Sequence, residues 1–104
     1  MIEYKVIKEI EDNPSHTQRS LAEKLDISLG KANYVLAGLI EKGIIKARKL
    51  KNHSDKIRWQ YILTPAGMKE KIVITKKYLQ RRLVEFEELQ EEIVQLKKDI
   101  GNHL

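Results

Sequence analysis

The sequence predicts a mainly α-helical protein with a small β-ribbon, built as three short helices, two strands and one long C-terminal helix. Three changes of pattern predict this order. Apolar residues recur at helical spacing over residues 2–43, follow a period of two in the two segments 44–50 and 57–63, and return to helical spacing from residue 65 onwards. The chain has 104 residues, which is the length of one small domain.

The first three predicted helices have recognisable ends. Asn13-Pro14 ends the first helix, and Thr17 is placed to cap the second. Ser20 stands where a capping box normally has Glu or Gln, so we expect that box to be incomplete. Ser28 caps the third helix, residues 28–42, and Gly43 ends it. The positions expected to be buried are Ile2, Val6, Ile7, Ile10, Leu21, Ala22, Leu25, Leu29, Ala32, Val35, Leu36, Leu39 and Ile40.

The two predicted strands cover residues 44–50 and 57–63, with a polar turn between them. Alternation places Ile57, Trp59, Tyr61 and Leu63 on one face of the second strand. Trp59 is therefore expected to pack in the core or against a helix, with stacking on a nucleic-acid base as the alternative.

The last predicted helix starts at Thr64-Pro65, where Thr caps and Pro is tolerated, and nothing breaks it before about residue 100. It carries a heptad repeat whose a and d positions form an apolar seam. The first 64 residues already form a compact head, so this seam favours pairing with a second copy. We expect a head, residues 1–64, and a coiled-coil-like dimerisation helix, residues 65–104. The predicted dimerisation residues are Leu79, Phe86, Leu89, Ile93, Leu96 and Ile100.

The net charge of +5 is distributed unevenly along the chain. Residues 1–78 hold 16 bases and 9 acids, whereas residues 79–104 hold 4 bases and 6 acids. The extreme is residues 42–58, with seven bases and one acid. Such a local concentration is expected of a phosphate-binding surface, although a solvated strand face would have the same composition.

Three helices followed by a two-stranded ribbon is the order of a winged helix-turn-helix. There, two packed helices present a third to the major groove of DNA, and the ribbon, or wing, lies beside it. This order favours DNA as the partner of the basic segment. We expect the recognition helix, residues 28–42, to enter the major groove, and the wing, residues 44–63, to contact the DNA backbone or the minor groove. The predicted DNA-binding residues are Gln18, Arg19, Ser28, Gly30, Lys31, Asn33, Tyr34, Lys51, Lys56 and Arg58.

The residue types in the recognition helix fit these roles, but each has a structural alternative. Lys31 and Asn33 can hydrogen-bond base edges, or they can simply be solvated. Gly30 can admit the DNA backbone closely, whereas Gly38 can relieve crowding against another helix. Ser28 can cap the helix and contact a phosphate at the same time.

Two stretches of the chain are characteristic. Residues 17–52 read TQRSLAEKLDISLGKANYVLAGLIEKGIIKARKLKN, and residues 61–67 read YILTPAG, before the heptad helix. In them the chain resembles MarR-type winged-helix transcriptional regulators, and more narrowly the small bacterial subgroup associated with exopolysaccharide (EPS) gene clusters. The resemblance implies sequence-specific DNA binding as a homodimer, with contacts carried over onto Ser28, Gly30, Lys31, Asn33, Tyr34, Lys56 and Arg58. It leaves a small-molecule effector open, and Asp26 stands where the helix-turn-helix usually has a left-handed Gly.

Other classes of protein are disfavoured. The chain has no cysteine, and its three histidines are far apart in sequence. Because no phosphate loop or nucleophile motif is present either, we expect no enzyme, no cofactor and no metal site. No segment approaches the length of a membrane span, and the N-terminus has no signal-peptide core, so a cytoplasmic protein is expected. The alternative to a DNA-binding regulator is a winged-helix adaptor that recruits a partner through its coiled coil.

Overall fold

The computed structural model describes residues 1–51, 57–101 and 103. Its elements are α1 (Ile2–Asp12), α2 (Gln18–Leu25), α3 (Leu29–Glu41), β1 (Ile45–Lys51), β2 (Ile57–Leu63) and α4 (Pro65–Gly101). The strands form a two-stranded antiparallel sheet in which Ile45 lies opposite Leu63 and Lys51 opposite Ile57. The predicted fold class, a winged helix-turn-helix followed by a long helix, is confirmed. Lys56 lies outside the described residues.

The chain divides into two units, Met1–Ile74 and Thr75–Leu104. The first holds α1 to α3, the ribbon and the start of α4, and the second holds the rest of α4. In the described part of the chain, no helix combines the length and apolar character that crossing a membrane would require.

The core of the first unit forms where the three short helices meet the base of the ribbon. Its most deeply buried large side chains are Val6, Ile7, Leu21, Leu36, Leu39 and Ile45. The buried face of α3 is narrower than predicted, because Leu29 and Ile40 are 41% and 40% exposed. Both residues lie at the borders of the apolar stripe, so their predicted burial is wrong.

Thr17 and Ser20 form a complete capping box at the start of α2, so the prediction of an incomplete box is wrong. The Ser20 N–H donates to Thr17 Oγ1 at 3.0 Å, and the Thr17 N–H donates to Ser20 Oγ at 2.8 Å. The short hydroxyl reaches the N-cap N–H as a Glu side chain would. The buried ring of His16 lies 2.9 Å from the same hydroxyl and 3.0 Å from Glu9 Oε2, which ties the start of α2 to α1.

Asp26 ends α2 in the left-handed conformation, with φ 53° and ψ 50°. The Asp26 N–H donates to the Glu23 carbonyl at 3.3 Å, and the Ile27 N–H donates to the Ala22 carbonyl at 3.0 Å. This pair of bonds is a Schellman motif, which normally has Gly at the left-handed position. Gly43, with φ 74°, occupies that position at the end of α3.

We expect Asp26→Gly to raise the free energy of unfolding by about 1 kcal/mol, because Gly adopts a positive φ without the steric cost of a Cβ atom. Urea unfolding of the two proteins measures the difference. Asp26→Ala is the control and should be less stable than the wild type, since Ala has the Cβ atom without a side chain that hydrogen-bonds locally. A less stable Asp26→Gly would show that the carboxylate itself stabilises the turn.

Thr64 and Gly67 join the start of α4 to the residue that precedes the ribbon. Thr64 Oγ1 accepts the Gly67 N–H at 2.8 Å and lies 3.1 Å from the carbonyl oxygen of Ile44, which also accepts the Thr64 N–H at 3.0 Å. A Cβ atom built on Gly67 would lie 1.9 Å from that same oxygen. The Ile44 carbonyl therefore leaves no room for a residue with a Cβ atom at position 67.

The second unit leaves the predicted heptad seam uncovered in the single chain. The six seam residues are between 41% and 55% exposed, Ile93 least and Leu79 most. Val84 and Val94 lie outside the seam and are 54% and 52% exposed. The apolar surface of this unit is thus broader than the a and d positions alone.

Candidate nucleic-acid interface

The solvent-facing side of α3 carries the predicted recognition residues. Ala32 is fully buried, and this fixes the rotation of the helix on the core. Gly30, Lys31, Asn33 and Tyr34 are consequently exposed, and Tyr34 reaches 82% exposure. These four residues share one accessible surface, with Lys31 and Asn33 on its two shoulders.

Ser28 caps this helix, as predicted. Its hydroxyl oxygen accepts the Lys31 N–H at 3.0 Å, which fixes the first turn of α3. A Cβ atom on Gly30 or Gly38 would meet nothing within 4 Å. The interpretation that Gly38 relieves crowding is therefore wrong, and packing does not require Gly at either position.

Two predicted contact residues of α2 and the wing also make long-range structural bonds. Gln18 Nε2 donates to the Tyr61 hydroxyl at 3.0 Å, and Arg58 Nη2 donates to the Ser15 carbonyl at 3.2 Å. Both bonds join β2 to the segment around the start of α2. A guanidinium has several N–H donors, so Arg58 can hold this carbonyl and still present donors to a phosphate.

A cleft of about 430 Å³, called the wing cleft below, lies between β2 and the starts of α2 and α3. It is lined by Thr17, Gln18, Arg19, Leu29, Arg58, Trp59 and Tyr61. The structure thus brings together three residues that were predicted separately as DNA contacts, namely Gln18, Arg19 and Arg58.

Trp59 lines the wing cleft and is 51% exposed, so its predicted placement in the core is wrong. It shares a face of β2 with Tyr61, which is only 5% exposed. The core covers the base of the ribbon and ends between these two positions. Alternation in the sequence identifies the face, but it does not indicate how far along the strand the core extends.

The described part of the wing is basic and exposed along β1. Lys46, Arg48, Lys49 and Lys51 are all exposed, and Lys49 lies opposite Trp59 in the sheet register. A surface of this kind attracts phosphates and other anions. Within residues 1–51, 57–101 and 103, no cluster of three or more His, Asp or Glu side chains could hold a metal ion.

Comparison with known proteins agrees with this architecture. A family model described as winged helix-turn-helix DNA-binding matches residues 2–46. No curated protein sequence is detectably similar to the chain.

Several solved structures share the fold at low sequence identity. PcaV, a transcriptional regulator from Streptomyces coelicolor in complex with its natural ligand, is 17% identical, with a TM-score of 0.69 over 97% of this chain and 73% of that one. A MarR/EmrR family transcriptional regulator from Acinetobacter sp. ADP1 is 21% identical, with a TM-score of 0.62 over 99% and 74%. Streptococcus pneumoniae FabT in complex with DNA is 17% identical, with a TM-score of 0.57 over 100% and 77%.

The family model identifies residues 2–46 as a winged helix-turn-helix DNA-binding domain, and the solved structures show that the chain shares their fold. The chain therefore contains a winged helix-turn-helix domain, and its structural neighbours include MarR-family regulators.

Proposed function

We propose that the chain is a MarR-type transcriptional regulator that binds specific double-stranded DNA sequences as a homodimer. The observation that carries the proposal is the accessible surface of α3, with Gly30, Lys31, Asn33 and Tyr34 beside a basic wing. In this proposal residues 1–64 read the DNA and residues 65–104 form the dimer.

Base recognition is assigned to the shoulders of α3. Lys31 can donate to guanine, and Asn33 can pair bidentately with adenine. Tyr34 is 82% exposed and can hydrogen-bond a phosphate through its hydroxyl. Gly30 allows the DNA backbone to approach the helix closely, which supplies a reason for Gly that packing does not. Ser28 caps α3, and its hydroxyl can also contact a phosphate at the start of the recognition helix.

Backbone contacts are assigned to the start of α2 and to the wing. Gln18 and Arg19 lie in the first turn of α2, where the helix dipole favours a phosphate. Lys51, Lys56 and Arg58 supply the wing contacts to the phosphates or the minor groove. These contacts position the recognition helix without reading sequence themselves.

The homodimer is supported by the uncovered seam of the second unit. Leu79, Phe86, Leu89, Ile93, Leu96 and Ile100 repeat at a and d positions and are all exposed in the single chain. In a dimer, two recognition helices would fall roughly one DNA turn apart, about 34 Å. A cytoplasmic location follows from DNA as partner, and membership of the exopolysaccharide-associated subgroup rests on the sequence resemblance. The proposal includes no effector for this chain.

The test begins with a duplex selected from a random pool and measures its binding against salt. We expect the logarithm of the affinity to fall with the logarithm of salt concentration by roughly 0.9 per neutralised phosphate. Lys31→Ala should weaken binding by about 5- to 30-fold and relax the preference for the selected sequence. Fluorescence anisotropy of labelled duplex gives both quantities.

Lys8→Ala is the matched control, since it removes the same charge from an exposed position on α1 and should bind almost as the wild type. Wild-type binding by Lys31→Ala would show that α3 is not the reading element. Absence of duplex binding, or binding insensitive to salt, would favour the adaptor that recruits a partner without DNA.

A further inference from the structure

Trp59 is the most unusual apolar residue on the surface of the first unit. It is the only tryptophan of the chain, and its large indole ring is 51% exposed. The function proposed above, with its contacts from α3, α2 and the basic wing residues, gives this ring no role.

The surroundings of Trp59 are basic. Trp59 and Arg58 both line the wing cleft and a second cleft of about 250 Å³. Arg19 lines the first cleft and Lys51 the second. Among the described residues, no acidic side chain lines either cleft, although the chain has 15 acidic residues in all. This combination fits a polyanion that also has apolar surface.

The strand that carries Trp59 is tied to the start of α2 by bonds of two of its neighbours along β2. Arg58 donates to the Ser15 carbonyl at 3.2 Å, and the Tyr61 hydroxyl accepts from Gln18 at 3.0 Å. The stretch of β2 that carries the indole is therefore held in place before any ligand arrives, which lowers the entropic cost of binding at this strand.

We infer that Trp59 contacts DNA and that the wing cleft receives one strand of the sugar-phosphate backbone. In this arrangement the indole packs against the C–H groups of a deoxyribose, while Arg19 and Arg58 meet the adjoining phosphates. The inference rests on the proposed function and adds a contact to it. The head of a second copy is a poor occupant, because residues 1–78 carry 16 bases against 9 acids and would bring like charge to the same cleft.

The experiment uses the fact that the emission of Trp59 is the only tryptophan signal of the protein. Acrylamide quenching is measured for the free protein and for its complex with the selected duplex, and anisotropy of labelled duplex independently confirms that the DNA is bound. We expect the quenching constant to fall by about half or more in the complex, as for an aromatic ring that packs on nucleic acid. If the duplex binds and the quenching constant does not change, the inference is overturned while the proposed function still stands.

Trp59→Ala supplies the second readout. It should weaken duplex binding by about 5- to 30-fold but leave the salt dependence unchanged, because the indole carries no charge. Met68→Ala, which removes another exposed apolar side chain of the first unit, should bind as the wild type. Urea unfolding should show little change in either variant; if Trp59→Ala fails to fold, Trp59→Phe takes its place and is expected to bind more weakly than the wild type.

Three further outcomes would count against the inference. Wild-type affinity in a folded Trp59 variant would show that the ring makes no contact. If, without DNA, acrylamide quenches Trp59 less as the protein concentration rises, a second copy of the chain covers the ring. Loss of salt dependence in the variant would show that the substitution disturbs the cationic contacts instead. Failure of the wild-type protein to bind any duplex would instead refute the proposed function.

Discussion

Gly67→Ala is expected to lower the free energy of unfolding of the first unit by about 3 kcal/mol or more. The new Cβ atom would lie 1.9 Å from the carbonyl oxygen of Ile44, far inside van der Waals contact. The opposing atom belongs to the backbone, so no change of rotamer can relieve the clash.

The Ile44 carbonyl cannot easily move away. Its oxygen accepts the Thr64 N–H, and the Ile44 N–H donates to the Leu39 carbonyl at 2.9 Å. Ile44 and Ile45 are also buried, at 4% and 1% exposure. Accommodating one methyl group therefore requires α4 to shift and the bonds at its start to break.

Urea unfolding followed by circular dichroism measures this effect. Gly38→Ala is the matched control, because that helical glycine has open space where the Cβ would stand, and it should gain about 0.5 to 1 kcal/mol. A Gly67→Ala protein without a cooperative transition agrees with the prediction. Stability within about 1 kcal/mol of the wild type would mean that α4 does not start against Ile44.

Ile93→Asp is expected to convert the proposed dimer into monomers. Ile93 occupies an a position in the regular part of the seam and, at 41%, is its least exposed member. A carboxylate there would lose its hydration on pairing without gaining a partner. We expect the dimer dissociation constant to rise by about 100-fold or more, measured by sedimentation equilibrium.

Val94→Asp is the control, because it introduces the same negative charge at the residue next to Ile93. Val94 is 52% exposed but lies at a b position, outside the seam, so this variant should remain dimeric. If Val94→Asp dissociates and Ile93→Asp does not, the interface lies on another face of the helix. A monomeric wild type would refute the proposed homodimer.

The ends of the elements could be predicted because they are encoded locally. Asn13-Pro14, Gly43 and Thr64-Pro65 each stop or start a helix through the conformation of their own backbone, and the structure has element ends there. The outward side of α3 was predictable for a similar reason, since helical periodicity assigns Lys31 and Asn33 to a side once Ala32 is placed in the core. Whether these residues bind DNA stays a prediction.

The features that the sequence did not reveal depend on contacts between distant segments. Gln18 pairs with Tyr61, and Arg58 with Ser15, across 43 positions in each case. The exposure of Trp59 depends on where the helical layer ends beneath the ribbon, and periodicity carries no information about that boundary.

The backbone bond between the Thr64 N–H and the Ile44 carbonyl has a consequence for how the ribbon can vary. It brings the entry and the exit of the ribbon to one point on the head, so the segment between them behaves as a closed loop anchored at its base. The length of such a loop affects its closure entropy only logarithmically. The length of the wing can therefore change by insertion or deletion far from that base, while the fold of the head is preserved.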